Sequence, residues 1–271
     1  MTTQPQFMCD ADRALNERML DDGHIILPVE DRAPLDRVRD LVARLAADHL
    51  GLARPNEAGE FLDNIAAQVT VERLNDLRLA VIDGLNAEPW VRPAYFRLAR
   101  AALESVVGNE LVMQRRVNLS IQLPGDDSSL LPIHSDVWSG DSPYEVVLWV
   151  PLVDCFGSKS MFFLPPGKGG ADGDKLDGLH HGSVETLYRS IEADVLWLDV
   201  PYGSVALFTQ NCLHGNRVNR EGTTRWSMNC RFKSVFSPYA DKRLGEFFEP
   251  ITLRAATRFG MGYRLPGGFD G

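Results

Sequence analysis

A change in hydrophobic periodicity, about 110 residues into this chain of 271, constrains the fold more than any other feature. Before that point, apolar residues recur at three- and four-residue steps between charged residues, as in amphipathic helices. The pattern predicts helices over residues 33 to about 51, 74–85 and 93–106. Pro93 suits the start of the last helix, and Gly108 with Asn109 ends it. The first third of the chain should therefore be helical.

Beyond residue 110 the period becomes two, which is typical of strands. In residues 114–123 a polar stripe alternates with other residues, and it consists of Gln114, Arg116, Asn118, Ser120 and Gln122. Further strands are predicted at 145–150, 160–164, 195–199, 204–208 and 225–232. In a doubly wound parallel sheet, helices and strands alternate along the chain. Here the helices come first and many short strands follow, which argues against that fold.

The pattern instead predicts a mainly β protein with flanking helices, in which a double-stranded β-helix (a jelly roll, cupin-like) is supported by N-terminal helices. We expect one domain over residues 1–271. Its parts would be a mostly helical support over about 1–110, a jelly-roll core over about 111–240 and a C-terminal extension over 241–271.

Composition and charge narrow the function classes. With 28 basic and 37 acidic residues the net charge is −9, which opposes binding to nucleic acid or to an anionic membrane. The first 20 residues lack a basic start followed by an apolar run, so no signal peptide is expected. The longest apolar run, 146–153, is shorter than the roughly 20 residues that a membrane span needs. We expect a cytoplasmic protein that acts on a small molecule, and the sequence leaves its oligomeric state open.

Histidine is rare in this chain, and its contexts are therefore informative. In His134-Ser135-Asp136 an imidazole and a carboxylate lie two residues apart, on one side of an extended chain, where both can reach one metal ion. His214 follows the strand predicted at 204–208 and offers a third ligand. The alternative is that both histidines are hydrogen-bonded core or loop residues. Adjacent His180 and His181 would point opposite ways on a strand, and a loop is favoured there.

Eleven residues after His214, the strand that begins with Arg225-Trp226-Ser227 has one entirely polar face. A guanidinium is a planar, permanently charged fork that suits a carboxylate, and Ser227 shares the face of Arg225. A strand whose polar face is in water is the alternative interpretation.

The chain thus contains an H-x-D pair, a distant histidine and an arginine about eleven residues later. This arrangement resembles the motif of the non-haem iron(II), 2-oxoglutarate-dependent oxygenases, and more specifically of their phytanoyl-CoA-hydroxylase-like branch. The resemblance covers roughly residues 114–236. The stretches NLSIQLPGDDSSLLPIHSDVWSGDSPYEVVLWVPLVD and LHGNRVNREGTTRWSMNCRFKS are similar to the subgroup associated with carbohydrate-modification gene clusters. The chain departs from the branch pattern where Lys159-Ser160-Met161 and Pro165-Pro166-Gly167 replace the usual P-G-S-H.

The resemblance implies that His134, Asp136 and His214 are the catalytic metal ligands for Fe(II). Two imidazoles and one carboxylate on one face of iron leave three adjacent positions open. Arg225 and Ser227 would then bind the co-substrate 2-oxoglutarate, and O2 would be the second co-substrate.

Four further residues are candidates for the cofactor and the substrate. In a jelly roll the polar stripe would line the cavity, where Asn118 and Gln122 could hold the cofactor and Arg116 the substrate; an edge strand with one wet face is the alternative. Trp138, two residues after Asp136, could stack on a sugar ring, or it could pack in the core.

The sequence thus predicts an Fe(II)/2-oxoglutarate-dependent dioxygenase that hydroxylates or otherwise oxidises a small polar substrate, with carbohydrates and nucleotide sugars as candidates. The alternatives are a cupin-like metal enzyme that does not use 2-oxoglutarate and a non-enzymatic sugar-binding jelly roll.

Overall fold

Helices dominate the first part of the chain and strands the rest, as the periodicity predicts. The computed structural model describes residues 7–168 and 183–265, so that the His180–His181 pair lies outside the described residues. The helices are α1 (Asp10–Asp22), α2 (Arg32–Leu50), α3 (Ala58–Asp63), α4 (Val71–Ala87), α5 (Val91–Arg97), α6 (Arg100–Val106), α7 (Val184–Ile191) and α8 (Ala255–Gly262).

The strands are β1 (His24–Pro28), β2 (Leu111–Gln114), β3 (Asn118–Gln122), β4 (Val146–Pro151), β5 (Phe162–Phe163), β6 (Leu196–Trp197), β7 (Ser204–Thr209), β8 (His214–Gly215), β9 (Arg225–Ser234) and β10 (Phe248–Pro250). Short 3-10 helices occupy Ile65–Ala67, Asp136–Ser139 and Gly157–Lys159.

The strands form two antiparallel sheets. The larger has the order β1-β7-β4-β9-β2-β10, and β3 also pairs with β9; the smaller has the order β6-β5-β8. Every residue of β4 is buried, and this strand lies in the interior of the sheet, between β7 and β9. Its burial explains the long apolar run in the sequence, since a strand covered on both faces has no polar alternation. The result is a mixed α and β architecture with antiparallel sheets.

The N-terminal helices cover one face of the larger sheet. In α2 the Asp31 side chain caps the first turn at the N–H of Ala33, and Gly51 ends the helix with φ 70°. Its apolar stripe packs against α4, so the helix forms where its periodicity predicts. Trp226 of β9 is fully buried on this side and donates a hydrogen bond to the carbonyl of Leu62 in α3. The apolar face of β9 therefore faces the helices.

The region predicted as one helix over 93–106 is two helices, α5 and α6. The carbonyl of Leu98 accepts a hydrogen bond from the N–H of Glu30, and the Glu30 carboxylate accepts one from the N–H of Ala101. These contacts with a distant segment replace helical hydrogen bonds at the break. Apolar periodicity continues across the break, so the sequence pattern alone does not show it.

The strand predicted at 114–123 is likewise divided, into β2 and β3. Between them, the N–H of Arg115 donates to the Phe247 carbonyl and the N–H of Val117 donates to the Asn86 side chain. Both strands pair with β9, but at different places along it. The interruption comes from a side chain of α4, which sequence alternation cannot show.

None of the helices within residues 7–168 and 183–265 is long and apolar enough to cross a membrane.

Candidate metal centre and its cavity

A cavity of about 240 Å³ lies between strands of the two sheets. Residues of β3, β4, β7 and β9 line it from the larger sheet, and β8 lines it from the smaller one. His134, Asp136 and His214 are on its wall, and so are Arg225 and Ser227. The five residues to which the sequence assigned the metal and 2-oxoglutarate thus share one cavity.

Two backbone hydrogen bonds bring the three candidate metal ligands together. His134 and His214 form an antiparallel bridge in which each N–H donates to the other's carbonyl, at 3.0 and 2.9 Å. Asp136 begins the 3-10 helix that follows. His134 Nε2 lies 3.4 Å from Asp136 Oδ1, and His214 Nε2 lies 3.9 Å from Asp136 Oδ2. One ligand atom from each of the three residues lies within 4.8 Å of the others, so the group can hold a single metal ion.

The hydrogen bonds of the two imidazoles fit metal binding. His134 Nδ1 is 2.7 Å from the Pro132 carbonyl, and His214 Nδ1 is 3.0 Å from the Cys212 carbonyl. A carbonyl only accepts, so each Nδ1 carries a proton, and each ring in its neutral form presents the lone pair of Nε2 to the centre. Metal-binding histidines are usually fixed in this way.

The electrostatics of the centre favour a neutral His214 and an ionised Asp136, whereas the hydrogen bond with Asp136 outweighs burial and raises the pKa of His134. Burial lowers the pKa of His214 to about 4, so this ring is neutral at neutral pH. Burial opposes ionisation of Asp136, but its hydrogen bond with His134 and the positive charge of Arg231 outweigh burial and lower its pKa. These are the protonation states in which both side chains can donate electron pairs to a cation.

Arg225 is a buried cation that has no acidic partner among the described residues. Its Nη1 donates to the Ser160 carbonyl at 3.1 Å and its Nη2 donates to Ser120 Oγ at 3.0 Å. Burial lowers its pKa to about 10, which leaves it charged at neutral pH. Its Nε, and Ser227 Oγ beside it, are buried without a hydrogen-bond partner in the described part of the chain. Such groups are costly in a folded protein unless a ligand satisfies them.

Arg231 is a second guanidinium in the cavity, and it approaches the metal centre directly. Its Nη2 lies 3.2 Å from Asp136 Oδ1 and its Nε lies 3.1 Å from Asp141 Oδ1. Asp141 is buried and also pairs with Lys242. The sequence predicts that Arg231 lies on the polar face of its strand, because the residues of that face alternate with apolar ones. Nothing in the sequence indicates the two acidic partners of Arg231.

The four further candidates from the sequence, Asn118, Gln122, Arg116 and Trp138, lie in different places. Asn118 lines the cavity, where its Nδ2 donates to Asn229 Oδ1 at 3.1 Å. Gln122 pairs in register with Arg225, yet its side chain turns away and donates to the Arg217 carbonyl. Ser120, which belongs to the same stripe, contacts Arg225 instead. Gln122 therefore does not line the cavity, since its amide supports a neighbouring loop.

Arg116 and Trp138 also lie outside the cavity. Arg116 is exposed and forms an ion pair with Asp83 at 2.7 Å, because the chain bends between β2 and β3. Trp138 follows Asp136 within a 3-10 helix, where residues two apart do not share a side as they do in a strand. It lies in a larger cleft of about 770 Å³, which Ser135 and Val137 also line. The substrate roles expected for both residues stay predictions.

Solved structures provide the comparison with known proteins. No family model matches the sequence, and no curated protein matches it. A structure of EctD from S. alaskensis aligns with 87% of this chain and 82% of its own at TM-score 0.55 and 18% identity. The non-heme monooxygenase ThoJ with Ni gives 0.53 at 18% identity, covering 83% and 79%.

A third structure is SnoN, described as a non-heme, alpha-ketoglutarate-dependent epimerase from nogalamycin biosynthesis; its TM-score is 0.51 at 18% identity, and coverage is 84% and 85%. At these identities the likeness concerns the fold. The chain has the fold of non-haem iron, 2-oxoglutarate-type oxygenases, which confirms at that level the resemblance seen in its sequence.

Proposed function

We propose that this protein is an Fe(II)- and 2-oxoglutarate-dependent dioxygenase that oxidises a small polar molecule. The observation that carries the proposal is the buried guanidinium of Arg225, which no described acid pairs with, in the same cavity as a His-Asp-His group. A cupin-like enzyme without 2-oxoglutarate would need the metal ligands but would have no use for an uncompensated arginine. A sugar-binding jelly roll would need neither.

The donor set fits iron(II) and a dicarboxylate. His134, Asp136 and His214 would hold the metal on one face, as two imidazoles and a carboxylate do in non-haem iron oxygenases. Arg225 and the unpartnered Ser227 Oγ would hold the carboxylate of 2-oxoglutarate that is remote from the metal. The same cavity thus offers ligands for a metal together with a cation and a hydroxyl.

When bound, iron(II) and 2-oxoglutarate supply the oxidation of a C–H bond by O2, coupled to decarboxylation to succinate. The chain itself fixes both imidazoles through the carbonyls of Pro132 and Cys212, and keeps Arg225 charged. Apolar side chains of Val147, Trp149, Met161 and Phe208 line the rest of the cavity and limit the entry of water.

We propose that the part of the substrate that enters the cavity is uncharged and polar, as a sugar ring is. Among the described residues of the wall, the charged groups apart from Arg225 are Asp136 and Arg231, and these contact each other. The amides of Asn118, Asn216 and Asn229 add neutral hydrogen-bonding groups. This balance favours a carbohydrate, or the sugar of a nucleotide sugar whose phosphates stay outside.

We further propose that the two sheets form a jelly roll within a single domain. Support comes from β1, which belongs to the helical third but pairs with β7, and from β10, which belongs to the C-terminal extension but pairs with β2. Residues from the helices and from the larger sheet belong to one hydrophobic core.

The direct test is 2-oxoglutarate binding to the iron-loaded, oxygen-free protein, followed by succinate formation when oxygen is admitted. Arg225→Gln should raise the Kd for 2-oxoglutarate about 100-fold, because a buried charge pair is lost, and should leave the Kd for iron within a few fold. Arg217→Gln is the matched control, since Arg217 pairs with Glu185 away from the cavity. Undiminished 2-oxoglutarate affinity in Arg225→Gln would refute the proposed anchor.

The substrate proposal is tested by 2-oxoglutarate consumption against a panel of sugars, nucleotide sugars, amino acids and acyl-CoA thioesters. Neutral sugars or nucleotide sugars should stimulate consumption. Stimulation by amino acids or acyl-CoA thioesters alone would contradict the carbohydrate assignment and would leave the cofactor assignment intact.

A further inference from the structure

Asp136, the one carboxylate of the candidate metal centre, is held by an arginine that is itself held by a second buried acid. Arg231 reaches Asp136 Oδ1 through Nη2 and Asp141 Oδ1 through Nε, at 3.2 and 3.1 Å. Lys242 contacts the other oxygen of Asp141. The charges therefore alternate from Lys242 through Asp141 and Arg231 to Asp136.

Neutral groups further restrict the Arg231 guanidinium. Gln210 Oε1 lies 3.2 Å from Arg231 Nε, and Gln114 Oε1 lies 3.5 Å from its Nη1. Gln210 is fixed in turn by Glu145, which accepts a hydrogen bond from its Nε2 at 2.7 Å. With partners on Nε, Nη1 and Nη2, the guanidinium plane has little rotational freedom.

The position of these contacts relative to the histidines gives them a role beyond stability. Arg231 contacts Oδ1 of Asp136, which His134 Nε2 also faces at 3.4 Å, whereas His214 Nε2 faces Oδ2. A carboxylate turns easily about its Cβ–Cγ bond, and a cation held against one oxygen limits that rotation. Carboxylates that bind metals are themselves commonly hydrogen-bonded by groups that do not touch the metal.

We propose that Arg231, held by Asp141, is a positioning residue that sets the orientation of the Asp136 carboxylate toward the metal. The inference rests on the proposed function, because it needs a metal at His134, Asp136 and His214. An ion pair that serves stability alone would tolerate any cation at position 231 that satisfies the two acids. A positioning role requires the planar fork that spans both.

Arg231→Lys separates these two roles, since it keeps the charge and removes the fork. The measurement is Co(II) binding to the metal-free protein, followed by the absorption bands of the bound ion, which report its coordination. We expect Arg231→Lys to raise the Kd for Co(II) about 10-fold and to change the band positions or intensities. The control Arg217→Lys, which changes a guanidinium outside the cavity in the same way, should match the wild type.

Asp141→Asn provides a second test that does not alter Arg231 itself. It keeps the shape of the side chain but removes the charge that holds Arg231, so it should raise the Kd for Co(II) in the same direction by a smaller factor. Circular dichroism melting identifies a variant that does not fold, and Asp141→Asn decides the question if Arg231→Lys is such a variant.

Different experimental results would overturn this inference and the proposed function. A wild-type protein that does not bind Co(II) would overturn the metal site, and the positioning role with it. A wild-type protein that binds Co(II), together with folded Arg231→Lys or Asp141→Asn variants of unchanged affinity and spectrum, would overturn the positioning role alone.

Discussion

Arg225 and Arg231 lie six residues apart on β9 and line the same cavity, yet their surroundings differ completely. Arg231 has two carboxylates within ion-pair distance. In the described part of the chain, Arg225 has a carbonyl and a hydroxyl as hydrogen-bond partners and no acid. One strand therefore carries a compensated cation near the candidate metal ligands and an uncompensated cation elsewhere in the cavity.

The difference shows how a single strand can serve two purposes. A buried charge that the protein neutralises itself contributes to the arrangement of its neighbours, whereas a buried charge that it leaves unpaired favours an external ion of opposite sign. On this basis we assign Arg231 to the support of the metal ligands and Arg225 to the co-substrate. The following predictions test that contrast, beginning with the largest expected effect.

Asp136→Ala should eliminate iron binding, with affinity reduced more than about 100-fold, because it removes one of three ligands and an acidic partner of Arg231. The measurement is the iron content of protein that has been loaded anaerobically and then desalted. Asp83→Ala, which removes an exposed acid outside the cavity, is the control. Retention of one iron per chain by Asp136→Ala would show that the metal lies elsewhere.

Replacing each arginine with methionine should affect the free energy of unfolding unequally in the metal-free protein. Arg231→Met should lower it by about 2 kcal/mol, because Asp141 and Asp136 lose a shared cation. Arg225→Met should change it by less than about 1 kcal/mol, since the buried charge that disappears has no acidic partner among residues 7–168 and 183–265. Urea denaturation measures both. Equal losses would contradict the contrast between the two residues.

Ser227→Ala should raise the KM for 2-oxoglutarate about 10-fold without lowering stability. Its hydroxyl is buried without a partner in the described residues, so its removal breaks no internal hydrogen bond, while a hydrogen bond to a bound carboxylate is lost. Steady-state kinetics measure the KM for 2-oxoglutarate, and thermal melting measures the stability. A loss of stability with an unchanged KM would instead give Ser227 a structural role.

Glu145→Gln should make stability less dependent on pH. Burial and the neighbouring Asp141 raise the pKa of Glu145 to about 7. Between its ordinary pKa near 4.5 and 7 the folded state binds more protons than the unfolded state, so the free energy of unfolding falls as pH rises through this window. The amide introduced by Glu145→Gln cannot ionise and should reduce that fall by about 1 kcal/mol. Unfolding measured at pH 5 and pH 8 checks this, and an unreduced fall would place the titration elsewhere.

The parts of the fold that depend on local periodicity could be predicted from sequence. The amphipathic helix that became α2 and the alternating strand that became β9 follow from which residues are apolar and how they are spaced. The breaks at Leu98–Ala99 and at 115–117 could not be predicted, because side chains and backbone from distant segments take over the hydrogen bonds there.

In the candidate site, too, some features follow from the local sequence pattern and others do not. The residue types His134, Asp136 and His214 indicated a metal, and the structure brings them together. Gln122 and Trp138 were chosen on the assumption of an extended chain whose alternate residues share a face. The Gln122 amide instead meets a loop carbonyl, and Trp138 belongs to a 3-10 turn. Local alternation predicts on which side of a strand a residue lies, but it does not predict the conformation of that residue's side chain.

The sequence by itself determined which groups are available: the imidazoles, the carboxylate and a strand with arginine at positions 225 and 231 on its polar face. Only the tertiary structure decided which arginine has an acid to neutralise it. Asp141 reaches Arg231 from a loop about 90 residues earlier in the chain, and no described acid reaches Arg225. The physical reason is that side-chain alternation depends on neighbouring residues, whereas the pairing of buried charges depends on how distant segments pack.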